Sequence, residues 1–239
     1  MTGGNTRAAE LSANLQSLRA RIAAACAAAG RPAEAVTLIA ITKTFPASDV
    51  RLLAGLGVTD VGENKDQEAA QKAEECADIA TPLRWHFVGQ LQVNKAKSVV
   101  RYADVVHSVD RPRLIGALGS RARAAGRVLT CLIQVDLDPH PDPGRGGAGP
   151  GDVPALAAEV AGTGGLLLGG VMAIAPLGAP PRPAFRRLAE VAGTLRAAHP
   201  AATMISAGMT GDLEQAIAEG ATHVRVGTAL LGSRRAFVR

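Results

Sequence analysis

The feature that most constrains the fold is an alternation. Eight short runs rich in β-branched and other apolar residues occur at 37–42, 58–61, 84–88, 105–107, 128–135, 167–173, 203–206 and 222–226. Between or after them lie stretches whose apolar residues repeat at helical spacing, at 47–55, 65–77, 94–101, 111–125, 153–161, 184–198 and 213–218. Strands that alternate with helices pair in parallel, because a tight hairpin cannot return a chain in the same direction and a crossover helix can. Eight such units in 239 residues match the size of a (β/α)8 TIM barrel. A doubly wound open sheet is the competing arrangement, since closure leaves no mark on periodicity.

The organisation expected is a single domain over 1–239. Leu11, Leu15, Leu18 and Ile22 recur at helical spacing, and Gly30 with Pro32 stops that run, giving an N-terminal helix within 1–30. The barrel then occupies 31–232 and a short basic tail 233–239. No Ser- or Pro-rich linker divides the chain. The most irregular stretch, Asp138 to Asp152, reads "DPHPDPGRGGAGPGD". It falls after the fifth strand as an insertion loop, and without a lysine it is not a phosphate loop of the Gly-Lys-Ser/Thr kind.

Composition removes several functions. No run of about 18 apolar residues is present, so no membrane span is expected. "MTGGNTRAAE" lacks the charged-then-apolar pattern of an export signal. Cys26, Cys76 and Cys131 are odd in number and widely spaced, which fits neither a disulfide framework nor a metal site and points to a cytoplasmic protein. The net charge of +5 comes from dispersed arginines, and aromatics are only 3% of residues. Nothing is therefore arranged to stack bases, and nucleic acid is not an expected partner.

The chemistry-bearing residues stand where strands end. "LIAITKTFP" places Lys43 just past the first strand, on the face where barrel enzymes keep their chemistry. A lysine amine there can condense with an aldehyde; the plainer reading is a surface lysine. "MISAGMTGD" runs a strand into a turn of small residues and then a helix, so that Ser206, Gly208, Met209 and Thr210 offer hydroxyls and backbone N–H groups at a helix start. Such a start favours anions, although N-capping by Thr210 or Asp212 explains it as well. "VRVGTALLG" repeats the device one unit later with Gly227 and Thr228, and carries Arg225 on the strand before it. Barrels frequently build a phosphate site from the loops after strands seven and eight. An arginine in the barrel mouth needs a partner.

A strand-end lysine, a cradle from the last two units and an arginine beside it suit pyridoxal 5'-phosphate (PLP). Its aldehyde would join Lys43 as a Schiff base. Its phosphate would sit at Ser206, Gly208, Gly227 and Thr228, and its pyridine nitrogen would face Arg225. "VGENKDQEA" and "WHFVGQLQVNK" add Asn64, His86, Gln90 and Asn94 around the ends of strands two and three. "GGVMAIAP" adds Met172 as a wall residue. For His86 the plainer reading is a hydrogen-bonded histidine, for Asn64 and Asn94 a helix cap, and for Met172 core filler.

With these segments in view, the chain resembles the pyridoxal phosphate homeostasis proteins, the YggS/PROSC family. "AITKTFP", "GENKDQEA", "WHFVGQLQVNK", "GGVMAIAP" and "SAGMTGDLEQAIAEGATHVRVGTALLG" carry the resemblance, in order, from Leu38 to Gly232. The family usually has Met at the position of Ala207, Ser at that of Thr210 and an aromatic at that of Lys65; the hydroxyl survives at Thr210. The resemblance implies a barrel similar to the N-terminal domain of alanine racemases, Lys43 as the cofactor-linked lysine and Arg225 near the pyridine nitrogen. It implies a mostly monomeric protein associated with keeping free PLP in check and with amino-acid balance, with no established catalytic reaction; apo PLP-dependent enzymes are the expected acceptors where the cofactor is handed on.

Three functions follow from one scaffold. The first holds PLP as a lysine aldimine and hands it on. The second is a PLP-dependent amino-acid racemase or decarboxylase. A racemase needs acid/base groups on both faces of the substrate carbon. The chain's one tyrosine, Tyr102, falls at a helix end after the third unit, and no second domain follows Arg239, which favours holding. The third is a barrel for another phosphorylated metabolite, for which Lys43 would be superfluous.

Overall fold

The computed structural model of the chain describes residues 2–138 and 146–233. Its strands are β1 (Thr37–Ile41), β2 (Asp60–Glu63), β3 (Arg84–Phe87), β4 (Val105–Val109), β5 (Leu129–Gln134), β6 (Leu166–Met172), β7 (Met204–Ser206) and β8 (His223–Val226). They pair in parallel in chain order, and β8 returns to β1 from Thr37↔His223 to Ala40↔Val226. The barrel is closed, which excludes the open sheet. Each strand lies within two residues of the bounds its pattern predicts. Residues 139–145 of the expected insertion loop and 234–239 of the basic tail lie outside the described residues.

The helices are α1 (Thr2–Ala28), α2 (Ala47–Gly55), α3 (Asp66–Glu75), α4 (Ala96–Tyr102), α5 (Pro112–Ala124), α6 (Val153–Gly162), α7 (Pro181–Ala198), α8 (Leu213–Ala218) and α9 (Thr228–Leu231). Helix α7 starts three residues before its apolar periodicity. Pro181 and Pro183 stand in its first turn, where a missing N–H breaks no helical bond. No helix among the described residues is long and apolar enough to cross a membrane.

The core is aliphatic. Outward residues such as Val106, Cys131, Ile133 and Val171 meet Leu114, Leu118, Val160 and Leu188 of the helical layer. Helix α1 buries Leu11, Leu15, Leu18 and Ile22 against Leu213, Ile217, Val224, Val226 and Leu230, each side chain contributing roughly 1.5–3 kcal/mol. It also anchors the last helix by polar bonds. Asn14 Nδ2 donates to the Leu230 carbonyl and Arg7 Nη2 to the Leu231 carbonyl, both at 3.0 Å. Carbonyls at a helix end lack intrahelical partners, so α1 fixes the position of α9, whose first residue, Thr228, belongs to the candidate site.

Inside the barrel the side chains divide by chemistry. Val105, Leu132, Met172 and Met204 form an apolar cluster. Asp60, His86, His107, Ser206 and Arg225 are joined by hydrogen bonds. Strands β4 and β7 are not neighbours, so the 3.0 Å contact between His107 Nδ1 and Ser206 Oγ crosses the barrel interior.

Candidate functional site

A cleft of about 490 Å³ opens at the carboxyl ends of the strands. Its walls come from both ends of the chain: Ile41, Lys43 and Phe45 after β1, Asn64 after β2, Gln90 after β3, Ile174 after β6, and Met209, Thr210, Arg225, Gly227 and Thr228 from the last two units.

Lys43 is half-buried on a tightly held turn. Thr44, next to it, has φ +70°, the only positive φ at a non-glycine residue among those described. For a β-branched residue that conformation is strained. The N–H of Thr44 donates to a Glu68 carboxylate oxygen. On the other side of Lys43, Lys72 Nζ donates to the Thr42 carbonyl at 2.9 Å, to Glu63 Oε1 at 2.5 Å and to Glu68 Oε1 at 3.1 Å. Thr42 Oγ1 donates to the same Glu63 oxygen at 2.6 Å. Both flanks of Lys43 are thus tied to one buried charge cluster built by β2 and α3. Burial pushes the Glu63 carboxyl up, and the Lys72 ammonium opposes that rise without cancelling it. Removing one partner of a buried pair leaves the other uncompensated, at a cost of about 3–5 kcal/mol. Lys72→Met is therefore expected to lower unfolding free energy by about that amount, read from urea denaturation at neutral pH.

Arg225 is buried on β8. Its Nη1 donates to the Ser206 carbonyl at 2.8 Å and to Ser206 Oγ at 2.7 Å, and its Nη2 to the Ala173 carbonyl at 2.8 Å. No carboxylate pairs with it among the described residues. Burial lowers it to about 10, so it remains a cation at neutral pH. The protein holds its orientation with neutral oxygens and leaves its charge open to an acceptor in the cleft.

The two C-terminal turns are joined. The Ala229 N–H donates to Thr210 Oγ1 at 3.4 Å, placing Thr210, Gly227 and Thr228 on one wall. Gly208 has φ +91°, and a Cβ there would lie 2.7 Å from Ala216 Cβ, so the turn after β7 demands glycine. At Gly227 a Cβ would lie 3.2 Å from the Ile41 carbonyl oxygen, and its absence lets the end of β8 approach that of β1. The Met209 N–H is taken by Asp212 Oδ1 at 2.6 Å.

Of the residues picked from the sequence, Lys43, Asn64, Met209, Thr210, Arg225, Gly227 and Thr228 share the cleft. Ser206, Gly208 and Met172 stand behind it. Ser206 is fully buried with its hydroxyl against Arg225, Gly208 packs on α8, and Met172 fills the barrel interior. Sequence reasoning missed Phe45 and Ile174 as lining residues. Both lie inside quoted segments, but an apolar residue at a strand end carries no sign that distinguishes ligand wall from core. Tyr102 packs beside the cluster around Trp85 on the outer layer and is not part of the cleft wall.

Fold and cleft together define a barrel of the alanine racemase kind: the model of "Alanine racemase, N-terminal domain" matches residues 13–235. The chain is 44% identical over 246 residues to a pyridoxal phosphate homeostasis protein of Mycobacterium tuberculosis, covering 96% of this chain and 95% of that one. PipY of Synechococcus elongatus, solved with PLP bound, superposes with a TM-score of 0.81 at 35% identity, over 93% of this chain and 100% of that one. Alanine racemase of Streptomyces coelicolor, at 19% identity and a TM-score of 0.73 over 93% of this chain and 58% of that one, shares the fold. The chain belongs to the pyridoxal phosphate homeostasis protein family.

Proposed function

We propose that this protein binds PLP in the cleft and holds it through Lys43 as a reserve of cofactor. The observation that carries the reading is the convergence of three unlike groups on one cavity: the Lys43 amine, the Arg225 cation without a carboxylate, and the joined hydroxyl turns at Thr210 and Thr228. When bound, the cofactor supplies an aldehyde that an amine can condense with, a phosphate dianion and a ring nitrogen. Lys43 meets the aldehyde. Thr210, Gly227 and Thr228 take the phosphate, with Ser206, Gly208 and Met209 shaping the turn beneath it, while Asn64 bounds the pocket and Met172 packs behind it. Arg225, still charged, faces the ring nitrogen and opposes its protonation. The name of the Mycobacterium relatives and the PLP-bound PipY structure support this assignment.

Holding is favoured over turnover because, among the described residues that line the cleft, only Lys43 and Arg225 ionise. A racemase needs a second acid/base group across the substrate carbon. On this reading the protein acts in the cytoplasm as a monomer with 1–30 and 31–232 as one unit, and passes cofactor to apo PLP-dependent enzymes. The test is to load purified protein with PLP, reduce with borohydride, digest and map the added mass. Label confined to the Lys43 peptide is the expected result; label scattered over surface lysines would sink the assignment. Racemisation of alanine at enzyme-like rates would replace holding by catalysis.

A further inference from the structure

Five polar side chains run in file through the barrel, from its amino-terminal face to the cleft. Asp60 Oδ1 lies 2.9 Å from His86 Nε2, and His86 Nδ1 lies 2.9 Å from His107 Nε2. His107 Nδ1 lies 3.0 Å from Ser206 Oγ, which in turn lies 2.7 Å from Arg225 Nη1. Asp60 borders another opening, among Arg19, Gly57 and Thr59, on the opposite face. His86 and His107 are essentially inaccessible to solvent.

Donor and acceptor rules leave one arrangement of protons. A carboxylate only accepts, so His86 Nε2 carries a hydrogen and gives it to Asp60. A neutral His86 then has a bare Nδ1, which must accept from His107 Nε2–H. A neutral His107 then has a bare Nδ1, which must accept the Ser206 hydroxyl proton. That leaves the Ser206 oxygen free to accept from Arg225, which only donates. Neutrality of both rings follows from their surroundings. Burial drives both below the ordinary imidazole range, His107 well below it, and His107 also faces His86, Arg225, His223 and Arg84. Asp60 and, more weakly, Asp104 favour a charged ring at His86, and they do not overcome burial.

We propose that Asp60, His86, His107 and Ser206 form a one-directional hydrogen-bond relay in which the Asp60 carboxylate sets every proton and positions Arg225 from the far face of the barrel. Asp60, His86 and His107 are positioning residues, since none of them lines the cleft. The bearing on a ligand rests on the PLP reading above; the relay itself does not, and it is testable without cofactor.

The experiment uses the full chain without PLP, with 15N-histidine and 15N-arginine labelling. In the unsubstituted protein both rings should give neutral Nε2–H signatures about one pH unit above the usual imidazole midpoint. The Arg225 Nη hydrogens should appear as separate, slowly averaging signals. An imidazolium signature or an Nδ1–H ring at either position would overturn the relay, and this arm needs no variant. His107→Phe, two links short of Arg225, should collapse the separate Nη signals into one averaged set, while Asp60→Leu, which removes the acceptor, should mix the tautomers of both rings; tautomers unchanged in a folded Asp60→Leu protein would show that the carboxylate does not set them. Unchanged Arg225 signals in a folded His107→Phe protein would show that the arginine is held without the relay. Failure of PLP to bind at all would leave these signals untouched and count against the cofactor reading alone.

Discussion

Lys43→Ala protein, incubated with PLP and reduced with borohydride, is expected to carry no site-specific label and to lose the visible absorbance of the wild type completely. The size of the effect follows from the site. Lys43 is the only amine in the cleft wall among the described residues, so no second lysine stands ready to take its role. The neighbouring ammonium, Lys72, is buried and fully engaged by Thr42, Glu63 and Glu68. The phosphate turns do not depend on Lys43, because Thr210 and Ala229 bond to each other. The variant should therefore still bind pyridoxine 5'-phosphate, which has the phosphate and ring but no aldehyde, about as well as wild type does. Calorimetric titration of both ligands into both proteins separates the outcomes. A persistent visible band in Lys43→Ala would assign the aldehyde elsewhere. Loss of pyridoxine 5'-phosphate binding together with PLP binding would mean that the substitution had collapsed the turn.

Stability should fall steeply on mild acidification, before the ordinary carboxylates titrate. His86, His107 and His223 are all held below the usual imidazole value, chiefly by burial, with His223 lowered to about 4. The sign is fixed by linkage: as pH falls below about 6.5, the unfolded chain takes up protons that the folded chain refuses, so folding loses free energy. The contribution is complete above the unfolded value and disappears as pH drops toward the folded ones. Each ring that stays neutral in the fold adds up to roughly 1.4 kcal/mol per pH unit while the unfolded chain titrates, against a total of about 5–15 kcal/mol for a domain. Urea midpoints at pH 7, 6 and 5 measure it. A midpoint that stayed level over that range would show that the three rings take up protons in the native barrel as readily as in the unfolded chain.

The strands and helices were legible in the sequence because each unit carries its own periodicity, and neighbouring units reinforce it. Closure was not, since the β1–β8 pairing joins residues about as far apart in the chain as two strands can be. The site was legible where glycine or a charge stands at a strand end: Lys43, Arg225, Gly227 and Thr228 meet in one cleft. It was illegible in depth. Ser206 and Thr228 look alike as hydroxyls beside glycine, yet only the structure shows Ser206 turned inward to Arg225 and His107. His86 and His107 could be marked as polar residues on strands, but their 2.9 Å contact depends on the register of β3 against β4, which periodicity does not specify.

Strand β1 meets β8 where the barrel shuts, and the cleft straddles that seam, with Lys43 on one side and Gly227 and Thr228 on the other. A molecule gripped from both sides would act as a stitch across the join between the beginning and the end of the chain. Since a ligand stabilises whatever form it binds in proportion to the logarithm of its concentration, such a protein would be sturdiest when full and would loosen first along that seam when emptied.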